Sequence, residues 1–202
     1  MLSKLQKDDV SIGILSGGKS SRMEGKDKGL IEFNGKSVLS RIISLASEYT
    51  SDIFVIANNN LDSYKKIHNK VYSDVLDNFQ GPLSGIFTAL SRCKNSKLII
   101  LPCDGPFITK EYFERMIANK SDKSIQVVKT GNRLQPVYAC MDKKLTNNLE
   151  VFLQSGERKI DKWYTACEFD EIVFHQDNEM FLNINSENDI EKNKILIKKI
   201  YG

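Results

Sequence analysis

Val10-Ser11-Ile12-Gly13-Ile14-Leu15-Ser16-Gly17-Gly18-Lys19-Ser20-Ser21-Arg22-Met23-Glu24-Gly25-Lys26-Asp27-Lys28-Gly29 is the stretch on which the fold turns. Val10 to Leu15 is a short apolar run that reads as a buried strand. It empties into a loop rich in glycine and cation. Glycines let backbone N–H groups curl around an anion, and Lys19, Arg22, Lys26 and Lys28 bring positive charge to a polyanion such as a triphosphate. A loop of this kind after the first strand is where α/β folds bind nucleotides. Two familiar phosphate loops do not fit. The Walker A spacing places Met23 where its second glycine belongs, and Gly25-Lys26 is followed by Asp27 rather than Ser or Thr. The dinucleotide pattern G-x-G-x-x-G fails because Gly17 and Gly18 are adjacent. A glycine pair alone marks an ordinary turn; its place behind a buried strand and the cation spacing favour a phosphate loop.

The chain has 202 residues, enough for one domain with a sizeable core. Its 29 basic and 26 acidic residues nearly balance, which argues against nucleic acid as a partner. Cys93, Cys103, Cys140 and Cys167 lie far apart and form no C-x-x-C pair, so neither a zinc site nor a redox dithiol is indicated. Cys103 and Cys140 read as small core residues. Met1 to Asp9 is polar and no apolar run reaches membrane-spanning length, so a soluble cytoplasmic protein with no membrane partner is expected.

Further along, short apolar runs alternate with helical stretches. Strands are expected at Ile53–Ala57, Lys70–Ser73, Leu98–Leu101, Ile125–Lys129, Leu134–Cys140, Phe169–Phe174 and Phe181–Ile184, with a short extended piece at Leu30–Phe33 before an Asn34-Gly35 turn. Helices are expected at Ser37–Tyr49 with Ser37 as cap, Leu61–His68, Leu83–Cys93, Thr109–Asn119 with Thr109 as cap, Asp142–Leu153, and after Ser186. This alternation predicts a three-layer, Rossmann-like α/β fold, a mainly parallel sheet with helices on both faces, as a single domain over residues 1–202.

In such sheets the ligand sits at the carboxyl ends of the strands. Those ends hold the glycine-cation loop, Asn58, Asp74 and Asp104, and Gly81-Pro82-Leu83-Ser84-Gly85 opens a helix whose free N–H groups can meet a base or a phosphate. Asp104 lies just past an apolar strand, bracketed by Pro102 and Pro106. It suits Mg2+, which combines few carboxylates with substrate phosphates, or equally an Asp-Gly turn; the neighbouring phosphate loop favours the metal. Asn183 and Asn185 fall on one side of the expected last strand, near a helix cap. His68 and His175 have no Asp, Ser or Cys pattern about them and read as surface residues, and no G-x-S-x-G nucleophile elbow occurs.

Leu15-Ser16-Gly17-Gly18-x-Ser20-x-Arg22-Met23 with Lys28-Gly29 resembles the signature of nucleotidyltransferases of the nucleotide-diphospho-sugar transferase fold. Five further segments sharpen the resemblance to molybdenum cofactor guanylyltransferases: Asp27-Lys28-Gly29-Leu30 with Asn34-Gly35-Lys36, Gly81-Pro82-Leu83-Ser84-Gly85, Pro102-Cys103-Asp104-x-Pro106, Gly156-Glu157-Arg158 and Asn183-x-Asn185. Together they span residues 10 to about 192. Glu24 stands where that family usually has glycine, and Gln135-Pro136 replaces a more usual His-Pro or Arg-Pro. The resemblance implies that Leu15, Ser16, Gly17 and Gly18 contact GTP, that Lys28 and Arg22 hold its phosphates, and that Asn58 and Asp74 lie beside the guanosine with Gly81 near the nucleotide. It further implies Mg2+ on Asp104, and Asn183 and Asn185 facing molybdenum-molybdopterin. Lys28, Arg22 and Asp104 are then the expected catalytic residues. Molybdopterin-insertion proteins or molybdoenzyme chaperones are the implied onward partners. Rival readings on the same residues are a cytidylyltransferase of the same cofactor, a sugar-phosphate nucleotidyltransferase, and a nucleotide-binding module without catalysis.

Overall fold

The computed structural model describes residues 9–16, 22–23, 26–76, 81–175 and 178–202, and of Arg22, Met23 and Lys26 the backbone alone. Strand β1 (Val10–Ser16) comes first; β2 (Arg22–Met23) and β3 (Lys26–Asp27) then pair antiparallel. A single 3-10 turn, Lys28–Leu30, leads into β4 (Glu32–Phe33) and β5 (Lys36–Ser37), a hairpin closed by Asn34 and Gly35 at φ 52° and 75°. Two successive left-handed residues are what a tight hairpin turn demands, and Asn-Gly meets that demand at little cost. Helix α1 (Val38–Ala46) follows, its first turn capped by Ser37 Oγ accepting from Ser40 N at 3.0 Å. Next come β6 (Ile53–Ala57), α2 (Leu61–Ile67), β7 (Val71–Tyr72), α3 (Pro82–Arg92), β8 (Lys97–Pro102) and α4 (Lys110–Ala118). The last third holds β9 (Ile125–Thr130), β10 (Arg133–Asp142), α5 (Thr146–Gln154), α6 (Ile160–Cys167), β11 (Asp170–Phe174), α7 (Glu187–Lys192) and α8 (Lys194–Tyr201).

The central sheet runs β11-β9-β10-β8-β1-β6-β7. β10 is antiparallel to both its neighbours, and the other pairings are parallel. Its pairing with β9 slips between Gln135 and Ala139, a bulge that falls at Pro136, which has no N–H to give the ladder. Period-two alternation divides the core. From β1, β6 and β8 the residues Ile12, Ile14, Ile53, Val55, Ile99 and Leu101 face one layer, packed by α1, α2, α4 and α8. Leu15, Phe54, Ile56, Leu98 and Ile100 face the other, packed by α3, α5 and α6. Gly13 belongs to this second face, where a Cβ would stand 3.1 Å from the Phe54 ring and 3.3 Å from Ala89. The result is the expected α/β fold with a mainly parallel sheet.

The structure corrects several expectations. Phe181–Ile184 is not a strand: Glu179–Phe181 is a 3-10 turn capped by Asn178, and its buried residues Met180, Phe181 and Ile184 do not alternate. Asn183 and Asn185 therefore do not share the side of a strand. Helix α6 was not expected, although Ile160, Trp163, Tyr164 and Cys167 stand at i, i+3, i+4 and i+7; charged residues around them blur the stripe. Asp142 ends β10 rather than opening a helix, and the stretch after Ser186 breaks at Asn193 into α7 and α8. Thr109 precedes α4 but makes no cap bond; its hydroxyl lies 3.8 Å from Met180 Sδ. His68 is half-buried against the Ile53 carbonyl at 2.8 Å rather than a free surface residue.

Candidate active site

Chain crossovers fix where a site can form. From β1 the chain steps to β6 and then β7 with α1 and α2 on one face, then crosses back to β8 with α3 on the other. Strand order thus reverses between β1 and β8, and the crevice at their carboxyl ends is the natural ligand site of such a sheet. Ser16 ends β1 there, and Cys103-Asp104 leaves β8 beside it, with Cys103 N bonded to Leu15 O at 2.9 Å.

Lys28 is the centre of the first cluster. Its side chain is 5% exposed, so its ammonium needs partners inside the protein. Nζ lies 3.5 Å from Asp104 Oδ2 and donates to Asn185 Oδ1. Asp104 is 23% exposed at the crevice. The chain segment carrying Asn185 is fixed by Asp189, whose carboxylate accepts from Asn185 N and from Ser186 Oγ, both at 3.0 Å. Asn183 is exposed two residues earlier.

A second cluster forms on the β6 side. Asn58 Nδ2 donates to Asp74 Oδ2, and Asp74 N donates to Asn58 Oδ1, each at 2.9 Å. The other carboxylate oxygen of Asp74 is buried without a hydrogen-bond partner among the described residues. A Cβ on Gly85, in the first turns of α3, would lie 3.8 Å from that oxygen and 3.5 Å from the Leu15 side chain, so Leu15, Asp74 and the start of α3 converge. Gly81 precedes this helix at φ 125°, with open space where a Cβ would be. A residue with a side chain would be strained at that angle.

Gly17 and Gly18 lie outside the described residues, as do Lys19, Glu24 and the side chains of Arg22 and Lys26; the Arg22 backbone pairs with Asp27. Arg158 serves a helix end, donating to the carbonyls of Leu153 and Glu157 at 2.8 and 2.7 Å beside the last turn of α5. Sequence reasoning overlooked the buried polar residues behind the crevice, Asp27, Tyr64 and Tyr138. Asp27 carries no local sign of its burial. Tyr64 does, since Leu61, Tyr64 and Ile67 form the inward stripe of α2 and a buried tyrosine hydroxyl ordinarily seeks a partner. Burial, then the neighbouring Cys103 and Asp27, pushes the Tyr64 hydroxyl well above the ordinary tyrosine range. Burial likewise pushes the Cys103 thiol up to about 12, so it is a neutral donor and not a nucleophile.

Residues 12–169 match the family described as the MobA-like NTP transferase domain. A molybdenum cofactor guanylyltransferase of Vibrio parahaemolyticus is 37% identical over 187 residues, covering 92% of this chain and 95% of that protein. One from Shewanella sp. strain MR-4 is 35% identical over 184 residues, covering 90% and 92%. The chain belongs to the molybdenum cofactor guanylyltransferase family. Among solved structures, a protein from Aquifex aeolicus superposes with a TM-score of 0.73 at 25% identity, covering 88% of this chain and 93% of that one. The molybdopterin-guanine dinucleotide biosynthesis protein A of Archaeoglobus fulgidus superposes with a TM-score of 0.73 at 18% identity, covering 94% and 99%, a likeness of fold. As a family member the chain is a nucleotidyltransferase of the nucleotide-diphospho-sugar transferase fold. Among the described residues, no helix is long and apolar enough to cross a membrane.

Proposed function

We propose that residues 1–202 act in the cytoplasm as a single nucleotidyltransferase domain. It transfers GMP from GTP to the terminal phosphate of molybdenum-molybdopterin, forming the guanine dinucleotide cofactor and pyrophosphate. The product passes to molybdopterin-insertion proteins or molybdoenzyme chaperones. Beyond family membership, the observation that carries this reading is the buried Lys28 ammonium, set between Asp104 and Asn185 at the point where strand order reverses. A cation there reaches toward a nucleotide on the Asp104 side and an acceptor phosphate on the Asn185 side.

The chemistry asks little of the protein beyond placement. An oxygen of the acceptor phosphate forms a bond to the α-phosphorus of GTP, and the bond from that phosphorus to the bridging oxygen breaks, its electron pair leaving with pyrophosphate. A phosphate monoester has its second pKa at about 6, so it is already mostly dianionic and needs no general base. Positioning and charge stabilisation remain. Leu15, Ser16, Gly17 and Gly18 present backbone to the nucleotide, and Asn58 and Asp74 hold the guanosine beside Gly81. Lys28 and Arg22 offset charge on the phosphates, and Asn183 and Asn185 orient the pterin.

Asp104 fits Mg2+. Its carboxylate is partly exposed at the crevice and held by Lys28 at ion-pair distance. Mg2+ usually takes one or two carboxylates and completes its shell with phosphate and water. When bound, Mg2+ supplies neutralising charge to the phosphate oxygens.

Thermal shift with GTP, CTP, UTP and ATP, each with Mg2+, tests the nucleotide; GTP gives the largest rise in Tm, and a larger rise with CTP overturns the guanylyl reading. Pyrophosphate release from GTP that requires molybdopterin tests the transfer, and its absence in wild-type protein that binds GTP leaves a binding module. Lys28→Ala and Asp104→Ala each lower kcat about 10²-fold or more with the fold retained. Near-normal magnesium-dependent turnover in Asp104→Ala removes the metal from that residue.

A further inference from the structure

Behind the crevice lies a set of polar groups to which the reaction assigns nothing. Cys103 Sγ donates to Ser16 Oγ at 3.2 Å, and Ser16 Oγ in turn donates to the Tyr64 hydroxyl. The Tyr64 hydroxyl interacts by hydrogen bonding and charge with the Asp27 carboxylate. All four residues are buried, Tyr64 with 0% exposure. The donors run in one direction, from Cys103 to Ser16 to Tyr64, with Asp27 at the end of the chain. Space is closed above it: a Cβ on Gly29 would stand 3.0 Å from the Tyr64 hydroxyl and 3.1 Å from Cys103 Sγ.

Three of these residues share a relation to the site. Ser16 directly precedes Gly17, Asp27 directly precedes Lys28, and Cys103 directly precedes Asp104. Each comes from a different element end, β1, β3 and β8, and Tyr64 reaches them from α2. One peptide unit, about 3.8 Å between Cα atoms, separates each from its neighbour, so a displacement of the buried residue is passed on to the site residue. Asp27 is the vulnerable member: its Oδ1 is buried with no hydrogen-bond partner among the described residues, and an unpaired buried polar atom is costly.

We propose that Tyr64 is a positioning residue of the transferase: its hydroxyl ties Ser16, Asp27 and, through Ser16, Cys103 into one buried chain that sets the mutual placement of the carboxyl end of β1, Lys28 and Asp104. The kinetic part rests on the guanylyl-transfer reading above. Tyr64 touches neither substrate; it acts through its neighbours. The hydroxyl is therefore expected to matter most for the arrangement reached during transfer, and least for holding GTP, which many other groups contact.

The test uses the full chain with Tyr64→Phe. The expected result is a fall in kcat of about 10- to 100-fold, as misplacement of reacting groups by a fraction of an ångström to an ångström produces, with KM for GTP changed less than about 3-fold. Amide hydrogen exchange at Lys28–Gly29 and at Cys103–Gly105 speeds up about 10-fold, while the β1 and β8 core amides keep their protection. A lowered Tm with unchanged kcat well below that Tm, and unchanged exchange at these two segments, overturns the proposal. Should Tyr64→Phe fail to fold, Tyr64→Phe/Asp27→Asn relieves the stranded carboxylate. The double variant is then expected to fold and to keep the loss in kcat of about 10- to 100-fold, whereas a double variant that regains wild-type kcat shows the hydroxyl to be merely structural and overturns the proposal. If wild-type protein transfers no GMP, the functional reading fails, and the exchange measurement still decides whether Tyr64 holds the loops.

Discussion

Single atoms set the tolerances of the crevice. Gly105 follows Asp104, and a Cβ built on it would stand 2.3 Å from the Tyr138 hydroxyl but 3.5 Å from the carbon bearing that hydroxyl. That hydroxyl is buried and has no hydrogen-bond partner among the described residues. Gly105→Ala therefore must push Tyr138 or the Asp104 turn aside, an overpacking cost of about 1–3 kcal/mol. Tyr138→Phe alone forfeits no hydrogen bond, and in its background Gly105→Ala returns to ordinary van der Waals contact. Urea unfolding of the two single variants and the double one is expected to show the alanine penalty largely cancelled by the phenylalanine. Asn58, Asp74 and Asp104 were legible in the sequence as residues at strand ends, because each follows a short apolar run that reads as a strand. Asp27 and Tyr138 were not, because whether a polar group is buried depends on what the rest of the chain lays over it.

At the level of elements, caps and alternation were read well where chemistry is local. Ser37 caps α1 as its sequence indicates, and Ser37→Ala is expected to lower stability by about 1 kcal/mol, measured as a reduced urea midpoint at unchanged m-value. The strands β1, β6 and β8 were legible because each is buried on both faces and reads as a continuous apolar run. Phe181–Ile184 has the composition of a strand, yet the sheet does not extend to it. Phe181 and Ile184 pack into the core instead, with Phe181 against Tyr138 and Phe174 at centroid separations of 5.1 and 4.9 Å. Local sequence cannot tell a strand from an irregular segment that packs as densely.

Across the whole molecule, the sheet end opposite the crevice is held by Asp52. Burial alone would raise its carboxyl, but the Ser11 hydroxyl at 2.6 Å, the Lys94 N–H at 3.0 Å and the Lys70 ammonium at 3.3 Å outweigh burial and hold it below the usual range. A carboxyl lowered in the folded state stabilises the protein above its unfolded pKa of about 4, and that contribution is lost as pH falls through the lower folded value. Asp52→Asn is expected to cost about 1–3 kcal/mol at pH 7 and to flatten the acid limb of stability between pH 5 and 3, followed by denaturant unfolding at each pH. Such a clamp anchors β1, β6 and the start of β8 at their amino ends, leaving their carboxyl ends to the ligand.

Strand β11 closes one side of the sheet, and an open edge strand is a template for another chain to pair with. Its outward flank is already engaged: Arg115 from α4 donates to the Val173 carbonyl at 2.5 Å and lies 4.0 Å over the Phe174 ring. At the far side, β7 is only two residues long. The consequence concerns solubility rather than catalysis. A sheet whose margin is occupied by a guanidinium group at one side, and barely present at the other, offers little template for fibril growth, so the protein can be concentrated without relying on its small net charge of +3 to keep copies apart.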